Sequence, residues 1–167
     1  MRNNTHCRYC GEAKNKRMLN WLLRLLGISR AASAGEQGEQ LAAEWLKRER
    51  GFFVIVRNWR SPHDRRDEID LVCRDRDVLV FVEVKARVVG ALVPGYYAID
   101  ARKKRVLRRA IAAYLRQLRE KPRTFRFDVI EVITPATGGK SAPVTTPAEP
   151  EVLHFENVLL FSKHFRG

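Results

Sequence analysis

The stretch VLVFVEVKAR, Val78–Arg87, opens as a buried strand and then sets Glu83 and Lys85 into the same apolar run. Alternate side chains of a strand share a face, so Phe81, Glu83 and Lys85 project together. A carboxylate and an ammonium taken out of water cost free energy unless they are paired or put to use. Just upstream, EIDLVC (Glu68–Cys73) reads as a second strand, with Glu68, Asp70 and Val72 on one face and Ile69, Leu71 and Cys73 on the other. The intervening RDRD is a tight turn, so the two strands should form an antiparallel hairpin. With the turn centred between Asp75 and Arg76, Cys73 faces Val78 and Asp70 faces Phe81. Asp70 then lies diagonal to Glu83 on a shared face. A one-residue slip would undo this, because register parity decides the face.

Working outward, Ser33 and Glu36 stand at capping-box spacing and predict a helix from Ala34 or Gly35 to a stop at Gly51. Its apolar stripe is Leu41, Ala42, Trp45 and Leu46. Glu39 sits on the edge of that stripe, and Glu36 and Glu44 on the solvated side. FFVIVR (Phe52–Arg57) reads as a strand and NWRSPHDRR as a loop. After a loop from Val89 to Tyr97, a long helix should run from about Asp100 to Arg119, with Leu107, Ala110, Ile111, Tyr114 and Leu118 as its stripe. FRFDVIEVI (Phe125–Ile133) alternates as a fourth strand, and VLHFENVLLF is a last strand or strand–helix end. A strand–helix–strand step calls for a crossover with the fourth strand parallel to the third. The expected class is an α/β sandwich with a mixed central sheet: helix, three-strand meander, helix, strand. Residues 34–167 form that domain, with a flexible Pro/Thr-rich insertion at about 134–150. Residues 1–33 read as a poorly ordered basic extension.

The formal net charge is +13 over 167 residues, and it is unevenly placed. Residues 101–126 hold eleven Lys/Arg against the single acid Glu120. A polyanionic partner follows, with nucleic acid ahead of an anionic membrane surface. Candidate phosphate contacts are Arg57 and Arg60 around Trp59, then Lys103, Arg105, Arg108 and Arg109 on the second helix. Trp59 would stack on a base or cap the core. Lys103 extends the apolar stripe and either approaches the Glu83 end of the sheet or snorkels to solvent. The three cysteines, Cys7, Cys10 and Cys73, make no disulfide framework, and LNWLLRLLGI is too short for a bilayer and broken by Arg24. A cytoplasmic protein without a membrane span is expected. His6, Cys7 and Cys10 are three ligands where a structural zinc site needs four.

Asp70, Glu83 and Lys85 suggest chemistry at the hairpin end. A hard cation, Mg²⁺ or Mn²⁺, takes carboxylate and carbonyl oxygens. Asp70, Glu83 and the Val84 carbonyl offer three. Lys85 is placed to orient a water and offset charge on a phosphorane, and Glu39 to hold a second cation or the water. Alone, the Glu83–Lys85 pair would be read as a salt bridge. The apolar run before it and Asp70 beside it argue otherwise.

D-x12-E-x-K on a hairpin, with a glutamate on the preceding helix, resembles the PD-(D/E)xK nuclease superfamily, with the spacing of archaeal-type Holliday junction resolvases. More closely, the chain is similar to the bacterial YraN family (UPF0102). The matching pieces are GEQGEQLAAEWL, VRNWR, EIDLV, VFVEVKAR, the Lys103–Arg105 region, FRFDVI and HFENVL, from Gly35 to about Leu160. The resemblance implies a restriction-endonuclease-like fold and a metal-dependent endonuclease acting on DNA, with branched DNA as a candidate substrate and a homodimer as a candidate assembly. It carries catalytic roles onto Glu39, Asp70, Glu83 and Lys85. Two positions depart from the family pattern. Asp67 stands where Gly is usual, adding a negative charge near the site, and Ala86 stands where Thr or Ser is usual, removing a hydroxyl. The alternative is a nucleic-acid-binding protein that keeps the fold without turnover. The intact Glu39/Asp70/Glu83/Lys85 set argues for the enzyme.

Overall fold

The long apolar run becomes the central strand of a five-stranded sheet in a computed structural model that describes residues 33–89, 99–135 and 149–161. Its elements are α1 (Ala34–Glu49), β1 (Phe53–Arg60), β2 (Glu68–Asp75), β3 (Val78–Val88), α2 (Ala101–Gln117), β4 (Thr124–Thr134) and β5 (Glu151–Phe155). Strand order follows the sequence, β1 to β5. β3 pairs antiparallel with β2 and parallel with β4, so the sheet is mixed as expected. The basic extension before Ser33, with His6, Cys7 and Cys10, lies outside the described residues, as do most of the Val89–Tyr97 loop and of the Pro/Thr-rich insertion.

One helix packs on each face of the sheet. Leu79 and Phe81 of β3 meet Leu107, Ala110, Ile111, Tyr114 and Leu115 of α2. Val80 and Val82, from the opposite face, meet Ala42, Ala43 and Leu46 of α1. Alternation along β3 therefore turns Glu83 and Lys85 toward the α2 side. The capping box forms at the start of α1: Ser33 Oγ accepts the Glu36 N–H, and the Glu36 carboxylate accepts the Ser33 N–H at 2.9 Å. Gly38 lets α1 approach β3 closely, since a Cβ there would stand 2.7 Å from the Ala86 Cβ. Ala86 thus faces α1, away from Glu83 and Lys85. The missing hydroxyl bears on helix packing rather than on the strand-end acids.

The hairpin register differs from the expected one. Asp75 pairs with Val78 and Cys73 with Val80, so the turn is Arg76–Asp77, and Arg76 takes the left-handed turn conformation at φ 52°. Asp75 stays in the ladder, its carboxylate held by Arg126 Nη1 at 3.0 Å. The offset is two residues, which preserves parity. Asp70 keeps its face but falls opposite Glu83 when the Leu71–Val82 register is continued, rather than diagonal to it.

β1 also runs longer than FFVIVR. Trp59 pairs with Ile69 and Arg60 with Glu68, after an irregularity between Val54 and Val56. It is an edge strand, hence its alternating exposure. Trp59 packs edge-on against Tyr114, 5.3 Å between ring centroids, so it caps the core rather than offering a face to a base. At the far side of the sheet, fully buried Asp128 joins β4 to β5. It accepts Arg126 Nε at 3.0 Å, the Asn157 N–H at 2.9 Å, and lies 2.9 Å from His154 Nε2. Among the described residues no helix is long and apolar enough to cross a membrane.

Candidate active site

Glu83 is 2 % exposed, deep enough that its charge needs partners. Oε1 takes two: Lys85 Nζ at 2.8 Å and Lys103 Nζ at 2.9 Å. Oε2 is buried and has none. The strand-end ion pair is therefore real, but it is neither solvated nor complete. Lys103 comes from the first turn of α2, where the Asp100 carboxylate caps the helix by accepting the Lys103 N–H at 2.6 Å. Burial works against its ammonium, yet the Glu83 carboxylate outweighs this and holds the Lys103 pKa above its ordinary value. The inward aim of Lys103 places it at the strand-end acids rather than on the outer basic face.

Asp70 is also buried, and its Oδ2 accepts the Val84 N–H at 2.7 Å where the β2–β3 ladder ends. Burial first, then the Glu83 charge, push its pKa up to about 7. Val84, whose carbonyl is the expected ligand, is thus tied to Asp70 through its N–H. Glu39 approaches from α1, on the other side of the sheet. Burial raises its pKa against the pull of the Asn58 side chain and Arg57, its Oε2 is buried without a partner, and its charge is felt at Asp70.

Among the described residues no group of three or more His, Cys, Asp or Glu side chains is placed to hold a metal ion. Two carboxylates nevertheless suit Mg²⁺ or Mn²⁺, which keep several waters. The unpartnered Oε2 of Glu83 and the raised carboxyl of Asp70 fit such a cation: it would supply the first with a partner and favour ionisation of the second.

A test of this electrostatic strain needs no substrate. Burial and the Glu83 charge push the Asp70 carboxyl up to about 7 in the folded protein, against an ordinary 3.8. The folded state holds the proton more tightly. The associated stability is therefore full below pH 3.8 and is lost as pH rises through about 7. Asp70→Asn removes that dependence. In EDTA the variant should exceed wild type by up to about 4 kcal/mol at about pH 8 and gain less than about 1 kcal/mol at about pH 4. Denaturant melts of both proteins across this range check it; a gain independent of pH would contradict it.

The remaining basic candidates are scattered. Arg105 is exposed on α2 and lines a cleft with Arg66, Arg102 and Arg109. Arg108 donates Nε to the Leu160 carbonyl at 2.8 Å, Arg60 pairs with Glu68 at 2.8 Å, and the charge of Arg57 acts on Glu39. Arg109 grips Asp67 with two bonds, Nη2–Oδ1 at 2.6 Å and Nε–Oδ2 at 3.1 Å. Asp67 is buried, so its charge is taken up by Arg109. Arg109→Ala should therefore destabilise the protein by leaving a buried carboxylate unpaired, and Asp67→Ala in the same chain should restore much of the loss. Urea unfolding of the single and double variants measures the coupling.

Two acids escaped sequence reasoning. Glu131 is buried and is the β4 register partner of Lys85, with Arg87 Nε at 3.8 Å. The alternation Phe127, Val129, Glu131 placed it on that face. Asp128, the buried tie to β5, carried no local signal.

The family model described as "Uncharacterised protein family UPF0102" matches residues 38–132, which include Glu39, Asp70, Glu83, Lys85 and Lys103. A UPF0102 protein of Symbiobacterium thermophilum, STH1475, is 46% identical over 98 residues, 59% of this chain and 80% of the relative. One from Chlorobium limicola is 40% identical over 106 residues, 62% of this chain and 78% of the relative. One from Anaeromyxobacter dehalogenans is 60% identical over 57 residues, 34% of this chain and 40% of the relative. With the matched span covering more than half of the sequence and containing all four proposed catalytic residues, the chain belongs to the UPF0102, or YraN, family.

Proposed function

We propose that the protein is a metal-dependent endonuclease that hydrolyses phosphodiester bonds in DNA at the Asp70–Glu83–Lys85 centre. The observation that supports this most is Glu83 itself: a buried carboxylate with one oxygen between two ammonium groups and the other without a partner, next to a buried Asp70 carboxyl. Desolvation costs several kcal/mol per ion, so such a cluster is a poor way to gain stability alone. Asp70 and Glu83, with the Val84 carbonyl, would hold Mg²⁺ or Mn²⁺, which when bound polarises a phosphoryl oxygen and acidifies a water. Lys85 offers its ammonium to charge developing on the phosphoryl oxygens and orients the attacking water. Glu39 accepts from a second water at the strand end. The apolar half of β3, buried among Leu107, Ile111 and Val129, keeps Glu83 and Lys85 from drifting. Arg102 and Arg105 provide phosphate contacts for the flanking backbone, in a cleft whose other arginines, Arg66 and Arg109, are held by Asp64 and Asp67.

A second reading has one observation in its favour. The Lys85–Glu83–Lys103 cluster is already paired, as a binding protein that has lost turnover could keep it. Incubation with single-stranded, duplex, flap and four-way DNA in Mg²⁺, Mn²⁺ or EDTA separates the two. Cation-dependent cleavage supports the nuclease. Salt-sensitive binding without cleavage under every condition supports the binder.

A further inference from the structure

Building on the proposed cation centre, we infer that Lys103 is a positioning residue that stands in for the cation, bracing Glu83 until a divalent ion displaces it toward the substrate backbone. The two lysines on Glu83 Oε1 are not equivalent. Lys85 lies two residues along the same strand, and its stem is fixed by β3. Lys103 arrives from a separate element, reaching 2.9 Å from the carboxylate out of the first turn of α2. Its neighbours on that turn, Arg102 and Arg105, line the basic cleft with Arg66 and Arg109. The Lys103 side chain is partly exposed, at 27 % of its area, so it can leave the acid without first being dug out of the core.

A dication bound through Glu83 would sit within a few ångströms of both ammonium groups. Like charges at such separation repel strongly where solvent is scarce. One lysine has to yield, and the one on the separate helix can do so without disturbing β3. Its ammonium then moves from the acid toward the cleft, where a phosphate oxygen of the bound strand can receive it. Cation binding and substrate binding become linked through one side chain: DNA that holds Lys103 away from Glu83 raises cation affinity, and by reciprocity the cation raises DNA affinity.

Removing the competing charge therefore has a sign that a merely structural lysine would not produce. Lys103→Met keeps an apolar stem of similar length and should bind Mn²⁺ alone about tenfold more tightly than wild type. Lys103→Arg, which keeps the charge, should stay near wild type. Mn²⁺ binding is read by electron paramagnetic resonance on wild type, Lys103→Met, Lys103→Arg and Glu83→Gln, with thermal melts confirming that each is folded. In the presence of a non-cleavable four-way DNA, the Mn²⁺ affinities of wild type and Lys103→Met should converge. Unchanged or weaker Mn²⁺ binding by folded Lys103→Met overturns the role of Lys103 alone, provided Glu83→Gln still abolishes binding. Mn²⁺ binding that ignores Glu83→Gln overturns the cation centre as well.

Discussion

Asp128→Ala is expected to destabilise the protein by about 4 kcal/mol or more, a large part of the 5–15 kcal/mol that holds a typical domain together. The carboxylate has no exposed surface, and both oxygens are used. Oδ1 takes Arg126 Nε and the Asn157 N–H, and Oδ2 lies 2.9 Å from His154 Nε2. Truncation leaves a mostly buried guanidinium with Asp75 at 3.0 Å and Glu156 at 3.5 Å but without one of its two acid partners at 3.0 Å. It also loosens the connection after β5, because the Asn157 N–H loses its acceptor and the Val158 N–H, 2.7 Å from the Phe127 carbonyl, is left to tie this stretch to β4 by its backbone. Asp128→Asn, with the same shape and no charge, should fall between wild type and alanine. Glu156→Gln, at the exposed rim of the same network, should cost less than about 1 kcal/mol. Guanidinium denaturation followed by circular dichroism ranks the three; a small loss for Asp128→Ala would show that the network contributes little to holding β5.

The second large effect falls on activity. Glu83→Gln should leave a folded protein whose cleavage rate is lower by about 10²–10³-fold, the scale seen when a principal electrostatic contact to a transition state is removed. The amide fills the same volume between Lys85 and Lys103 and its oxygen still accepts from one of them. The second ammonium, roughly a quarter exposed like the first, can turn to solvent. Stability should therefore change by no more than about 2 kcal/mol, since removing a buried charge offsets part of the lost pairing. Glu83→Ala is a harsher test, because it leaves two ammonium groups around a cavity. Single-turnover rates set beside melting curves distinguish loss of chemistry from loss of fold.

Much of this architecture is legible in local sequence. Ser33 and Glu36 mark the start of α1 because a capping box satisfies its own backbone donors without help from the rest of the chain. The faces of Asp70, Phe81 and Glu83 follow from strand parity, which survived the two-residue error in the hairpin register. That error arose because Arg76 adopts a left-handed conformation that Asn or Gly would have advertised. The extra length of β1 was hidden for a similar reason: NWR has turn character, and only pairing with β2 draws it into the sheet. The partners of charged side chains were the least legible. For Lys103, approach to the Glu83 end and snorkelling to solvent look alike in sequence, and α2 packing decides for Glu83. Asp67 looked like an unwelcome charge near the acids, yet Arg109, 42 residues on, absorbs it. Such pairings are fixed by tertiary distance, which no local pattern encodes.

Parallel cleavage reactions with wild type, Asp70→Asn and Glu83→Gln, each on four-way and duplex DNA in Mn²⁺ and in EDTA, test the proposed centre most directly. Wild type should cut in Mn²⁺ and not in EDTA, and both variants should fail to cut while remaining folded. Cleavage by wild type in EDTA, or equal cleavage by all three proteins in Mn²⁺, would contradict a cation centre built on Asp70 and Glu83.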